Sequence, residues 1–196
     1  PSIVYFNGKY VWAARRIIHK TKPVVWSNID TDNSQCSGEL TIYEENKVVF
    51  NEVCDTGSFF MNGYEDVKLC VNKTELYALV NFRDKDNIFK YLLFIFDDMY
   101  NIKVQKQLYV DDTKIECLDQ KNWNMYFETN ILKFHIMIEP NIIGTFDSKT
   151  FIVKIENIVK TNYELNCYSN NCMCKIENDN YLSIIHKQIR EHNKLL

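Results

Sequence analysis

The sequence has no excess of positive charge. Its 23 Lys and Arg residues face 26 Asp and Glu, for a formal net charge of -3 and a pI near 5.8. No broad basic surface is available to a phosphate backbone, so no nucleic-acid partner is expected, and the short run ARRIIHKTK at 14–22 reads as a solvated strand end and loop. Missing too is any apolar run near the roughly 20 residues of a spanning helix, and the N-terminus carries neither a charged n-region nor a hydrophobic signal core. The expectation is a soluble, cytoplasmic (intracellular) chain with no membrane partner. It begins with Pro1 rather than Met, and truncation at both ends is expected.

A disulfide framework is also lacking. The seven cysteines, at 36, 54, 70, 117, 167, 172 and 174, are odd in number and scattered, which fits reduced intracellular thiols. Cys167, Cys172 and Cys174 cluster without a fourth ligand or two paired ligand arms. They read as small apolar strand residues, so no metal and no cofactor are expected. Asn72-Lys73-Thr74 is a glycosylation sequon by pattern alone. Long helical patterns are absent, and IIHKQIREHNKLL near the C-terminus reads as a loop or truncated strand despite its helical propensity. Lys is strongly preferred to Arg and Asn and Ile abound, as in an AT-rich genome such as that of a large DNA virus.

What is present is a core-forming composition, 46% hydrophobic and 14% aromatic, arranged as a repeat. Apolar strand, tight polar turn and apolar strand recur in SIVYFNGKYVWAARR, DVKLCVNKTELYALVNF, NMYFETNILKFHIMIEP and CMCKIENDNYLSIIHK. Asn7-Gly8 is a strong hairpin signal, and Asn72-Lys73, Thr129-Asn130 and Asn178-Asp179 fill the same place. The repeats start near 2, 66, 124 and 172, a spacing near that of blade repeats. Further strands lie between the hairpins: ELTIYEE and KVVFNEV, YLLFIFDD and VQKQLYVDD, IIGTFD and TFIVKIENIV. Four strands per repeat predict an all-β β-propeller, one partial domain over 1–196 with about three and a half blades and its innermost strands lining a channel. Val4, Val11, Leu69, Leu79, Phe134, Ile136, Leu182 and Ile184 are expected to be buried.

Polar clusters occupy one phase of this repeat. Glu65-Asp66, after the Asn62-Gly63 turn signal, precede the innermost strand of the second repeat; QKNW at 120–123 precedes that of the third, and SNNC at 169–172 that of the fourth. On a propeller these clusters converge on one channel mouth. Carboxylates and amides there suit sugar hydroxyls, and Trp123 offers either a stacking face or a core side chain. Paired carboxylates in a partly buried funnel also suit general acid chemistry on a glycosidic oxygen.

The succession PSIVYFNGKYVWAARR, GYEDVKL, QKNWNMYFETNILKFHIMIEP and YLSIIHK resembles the five-bladed β-propellers related to mannoside phosphorylases, over essentially the whole chain. The resemblance implies a central carbohydrate site. Pro1 and Ser2 match the opening motif, Arg15 or Arg16 the hairpin arginine, Glu65 and Asp66 the paired acids, Lys121, Asn122 and Trp123 the third motif, and His186 with Lys187 the last. It implies Asp66 as proton donor beside Glu65, with Arg15, Arg16, Lys68, His186 and Lys187 as cationic groups for inorganic phosphate as co-substrate. Val67-Lys68 stands where the family has Pro-Arg, Asn124-Met125 where it has Ser-Pro, and NNCM where it has Gly-Gly-Thr-Pro. Lys lacks the planar fork of Arg. Two functions are therefore expected: phosphorolysis, hydrolysis or transfer of a mannose-like glycoside, or an inactive glycan-binding propeller docked on a glycosyltransferase domain.

Overall fold

The computed structural model describes residues 2–19, 36–54, 62–86, 88–111, 123–137 and 141–160, with short stretches at 167–169, 174–176, 180–182, 185–187, 190–191 and 194–195. Every regular element among them is a β-strand. No helix long and apolar enough to cross a membrane occurs among the described residues. The strands group into two compact units, Pro1–Leu108 and Tyr109–Leu196.

The first unit holds two four-stranded antiparallel meanders. One is β1 (Ser2–Phe6), β2 (Lys9–His19), β3 (Cys36–Glu44) and β4 (Lys47–Val53). Its first turn is Asn7-Gly8, with both φ values positive at 50° and 81°, as a two-residue hairpin turn requires. β5 (Asn62–Gly63) follows, and the second meander is β6 (Glu65–Asn72), β7 (Glu75–Arg83), β8 (Phe89–Phe96) and β9 (Ile102–Asp111), whose last three residues belong to the second unit. The Asp97 carboxylate closes the β8–β9 turn by accepting the Met99 and Asn101 N–H groups, each at 2.9 Å.

Alternation decides which face of each meander is buried. On the first, Val11 and Ala13 of β2 and Leu40 and Ile42 of β3 form one apolar face. Against it pack Leu69, Leu76, Ala78, Val80, Phe94 and Phe96 of the second. Fully burying each of the larger side chains contributes about 1.5–3 kcal/mol. The first strands of the two meanders also meet directly, since the Leu69 N–H donates to Ser2 Oγ at 2.9 Å.

The second unit repeats the pattern in β10 (Asn124–Glu128), β11 (Ile131–Met137), β12 (Asn141–Asp147) and β13 (Ile152–Val159). Thr129 and Asn130 make its hairpin turn at φ 50° and 67°. Tyr109–Asp111, the end of β9, runs parallel to Ile152–Lys154 of β13. Beyond lie β14 (Cys167–Ser169), β15 (Cys174–Lys175), β16 (Tyr181–Leu182), β17 (Ile185–Lys187), β18 (Arg190–Glu191) and β19 (Lys194–Leu195). β15 pairs with β16 as the fourth hairpin predicts, but Leu182 is 58% exposed rather than buried. β17 pairs with β14, and the C-terminal segment forms the short β18–β19 pair. Of the other expected core positions, Val11, Leu69, Leu79, Phe134 and Ile136 are buried, Val4 is half-buried, and Ile184 lies outside the described residues.

Candidate functional site

The polar cluster of the first unit is set in place by a backbone contact. Asn62-Gly63 is not the tight turn its composition predicts; the pair runs parallel to Ser37-Gly38. A Cβ on Gly38 would stand 2.3 Å from the Tyr64 carbonyl oxygen, and one on Gly63 2.3 Å from Gly38 N. Gly63 also needs its φ of +91°, so only glycine permits this approach. The contact anchors Tyr64, whose N–H donates to Gly38 O at 3.2 Å and whose hydroxyl donates to Glu52 Oε1 at 2.6 Å. Burial, reinforced by Glu52, pushes the Tyr64 phenol far above its ordinary range. Tyr64 is thus a fixed hydrogen-bond donor.

Glu65 and Asp66 come next, and a bulge separates their environments. Glu65 lies opposite Asn81 and Lys68 opposite Leu79, with one extra residue between. Asp66 takes up the irregularity at φ 44°, a left-handed conformation that Asp tolerates better than most residues. Glu65 is consequently buried at 5% exposure, while Asp66 faces solvent. The Glu65 carboxylate meets Arg15, with Nη1 to Oε2 at 3.8 Å. Arg16, the next residue on β2, is exposed, since neighbours on a strand point to opposite faces. Of the two arginines that match the hairpin motif, Arg15 is therefore the one brought to the acids.

Several buried polar groups of the first unit were not singled out from the sequence. Asn81 is 2% exposed, and neither its Nδ2 nor its Oδ1 has a hydrogen-bond partner among the described residues. Such a group is costly to bury unless something pairs with it. Glu39, across from Arg16 and so on the other face of the first meander, is buried as well and accepts from Thr41 Oγ1 at 3.2 Å. Their signal was a polar side chain inside an apolar strand, as in YALVNF and GELTIY.

The remaining candidates divide. Lys68 is buried within β6, three residues past its start. Trp123 is buried too, its ring edge-on to Phe134 with centroids 6.0 Å apart, which is core packing rather than an open stacking face. Lys121, Asn122 and Pro1 lie outside the described residues. His186 and Lys187 pair through their backbones with Tyr168 and Cys167; their side chains lie outside the description.

A register coincidence links the meanders. Ser2, Lys68 and Asn124 hold the same position in the three first hairpins, directly across from Ala13, Leu79 and His135. All three are polar and buried. No protein-family model matches this sequence, and no curated protein matches it.

Proposed function

We propose that the chain is part of a β-propeller whose first unit binds a carbohydrate, a mannose-like glycoside, through the polar side chains gathered on β2, β6 and β7. The observation that carries this reading is Asn81, 2% exposed and with neither Nδ2 nor Oδ1 partnered among the described residues, directly across from the buried Glu65 that meets Arg15. A buried amide whose polar atoms find no partner among the described residues is costly unless a polar ligand pairs with it. A buried carboxylate and amide beside the half-buried Arg15 guanidinium match the mixed donor and acceptor character of sugar hydroxyls.

Catalysis is the second reading, favoured by the contrast between a buried Glu65 and an exposed Asp66 in adjacent positions. Two carboxyl groups in unlike environments are what acid and base roles need. Phosphate would be the co-substrate, with Lys68 and Arg15 as the candidate cations of the first unit.

Titration calorimetry with mannosyl oligosaccharides tests binding, and sugar 1-phosphate release with and without phosphate tests turnover. Saturable binding that Glu65→Gln weakens and Arg16→Ala leaves intact is expected. Absence of saturable binding at millimolar sugar rejects the proposal. If turnover occurs, removal of the acid lowers it by about 100-fold to 10,000-fold, and comparison of Glu65→Gln with Asp66→Asn identifies which group that is.

A further inference from the structure

Asparagine followed by glycine occurs twice in the sequence, at Asn7-Gly8 and Asn62-Gly63, and the fold treats the two pairs oppositely. In this dipeptide the side-chain amide is open to attack by the next backbone nitrogen, because glycine has no side chain to obstruct the five-membered ring that forms. Asn7-Gly8 makes the β1–β2 turn. Asn7 is exposed, and a Cβ on Gly8 would meet no atom within 4 Å. The Phe6–Lys9 pair closes the ladder, so the Gly8 nitrogen lies beyond it.

Asn62-Gly63 is held. The pair runs parallel to Ser37-Gly38, and Gly63 packs so closely that a Cβ on it would stand 2.3 Å from both the nitrogen and the oxygen of Gly38. Ring closure at Asn62 must turn the Asn62–Gly63 peptide out of this contact, next to the Tyr64 N–H that donates to Gly38 O at 3.2 Å. Reaction there waits on local opening of the strand.

We infer that Asn7 is a site of spontaneous deamidation in the folded protein, and that the reaction cuts a tether between the two meanders of the first unit. The Gly8 nitrogen attacks Asn7 Cγ and loses its proton, the Cγ–Nδ2 bond breaks, ammonia leaves and a succinimide ring remains. Solvent water then opens the ring at either carbonyl, giving aspartate or isoaspartate at this position. No oxidant or reductant is consumed. In the intact protein Asn7 Nδ2 donates to Asp98 O at 3.3 Å, which joins the β1–β2 turn to the β8–β9 turn, and Phe6 and Tyr100 of the same two segments meet edge-on with centroids 6.1 Å apart. Either product replaces that donor by a carboxylate, which cannot donate and which adds negative charge opposite a turn that already carries Asp97 and Asp98. Isoaspartate also adds a methylene to the main chain of a two-residue turn whose geometry sets the β1–β2 register. The inference is independent of the sugar reading.

Peptide mass spectrometry of the 196-residue chain, sampled during prolonged incubation in mildly alkaline buffer with and without denaturing urea, tests it. In the folded chain conversion at Asn7 is expected to run at least about tenfold faster than at Asn62. In urea the two rates should converge, because neither pair is then held by structure. Asn7→Gln should abolish conversion at that position, since its longer side chain cannot close the five-membered ring, and circular dichroism should show the fold intact. Asn7→Asp, which carries the charge of the product, should melt below the unmodified protein. Equal rates at Asn7 and Asn62 in the folded chain overturn the inference, as does an Asn7 that stays intact there while the urea-treated chain converts. An Asn7→Asp protein that melts no lower than the unmodified one overturns the tether.

Discussion

Single residues carry the tightest constraints. Gly38→Ala would set a Cβ 2.3 Å from the Tyr64 carbonyl oxygen, and backbone must shift to relieve it. We expect destabilisation of at least about 1–3 kcal/mol, the usual cost of overpacking, measured by urea unfolding. Asp66→Gly should act the other way: the residue is exposed and held at φ 44°, so glycine removes local strain and should stabilise by up to about 1 kcal/mol. A lower urea midpoint would show that the Asp66 side chain makes a stabilising interaction of its own. His135 supplies a pH signal. Burial pushes its imidazole below 6.5, partly offset by a hydrogen bond with Asn141. Because the folded pKa lies below the unfolded one, the folded state prefers neutral His135; stability is full above about pH 6.5 and falls as pH drops through the window below it. His135→Gln should flatten that part of the stability profile, read by thermal melts at pH 5 to 8.

At the scale of the element, each meander depends on a few ring contacts and on its turns. Trp123 precedes β10 and packs edge-on to Phe134, which in turn meets Phe146 with centroids 6.2 Å apart. Trp123→Ala should therefore destabilise the β10–β13 meander by about 3–5 kcal/mol, and amide exchange should rise along β10 to β12. A sugar-binding loss without a stability loss would instead identify the indole as a ligand platform. At the β12–β13 turn, the Lys149 N–H donates to Asp147 Oδ1 at 2.9 Å and Lys154 Nζ lies 3.1 Å from Oδ2. These partners lower the Asp147 carboxyl to about 2. Its contribution is present above the unfolded value near 3.8 and is lost as pH falls toward 2, so its NMR titration midpoint should lie near 2.

For the molecule as a whole, cooperativity follows the units. In the first, the two meanders share one apolar core in which Leu76, Phe94 and Phe96 are fully buried. Leu76→Ala should cost about 2–5 kcal/mol, and hydrogen exchange should rise in both meanders alike, because neither can bury its inward face without the other. Exchange confined to β6–β9 would contradict a shared core.

The strands of the three meanders and their first hairpins were legible from the sequence because they are local, whereas the parallel β3–β5 and β9–β13 pairings were not. Period-two alternation and positive-φ turn residues fix a hairpin without reference to distant chain, so β1–β2, β6–β7 and β10–β11 all fall where the alternation and turns predict. The fourth hairpin was legible only as the β15–β16 pair, and the exposure of Leu182 shows that an alternating pattern does not guarantee a covering layer. Tertiary structure alone decided the site. Adjacent carboxylates look alike in the string GYEDVKL, yet a one-residue bulge buries Glu65 against Arg15 and turns Asp66 outward. Asn62-Gly63 looks like a turn, yet the parallel approach of Gly38 makes it a strand contact. Each outcome depends on a residue far along the chain, and burial is a property of what arrives from elsewhere, which local alternation cannot encode.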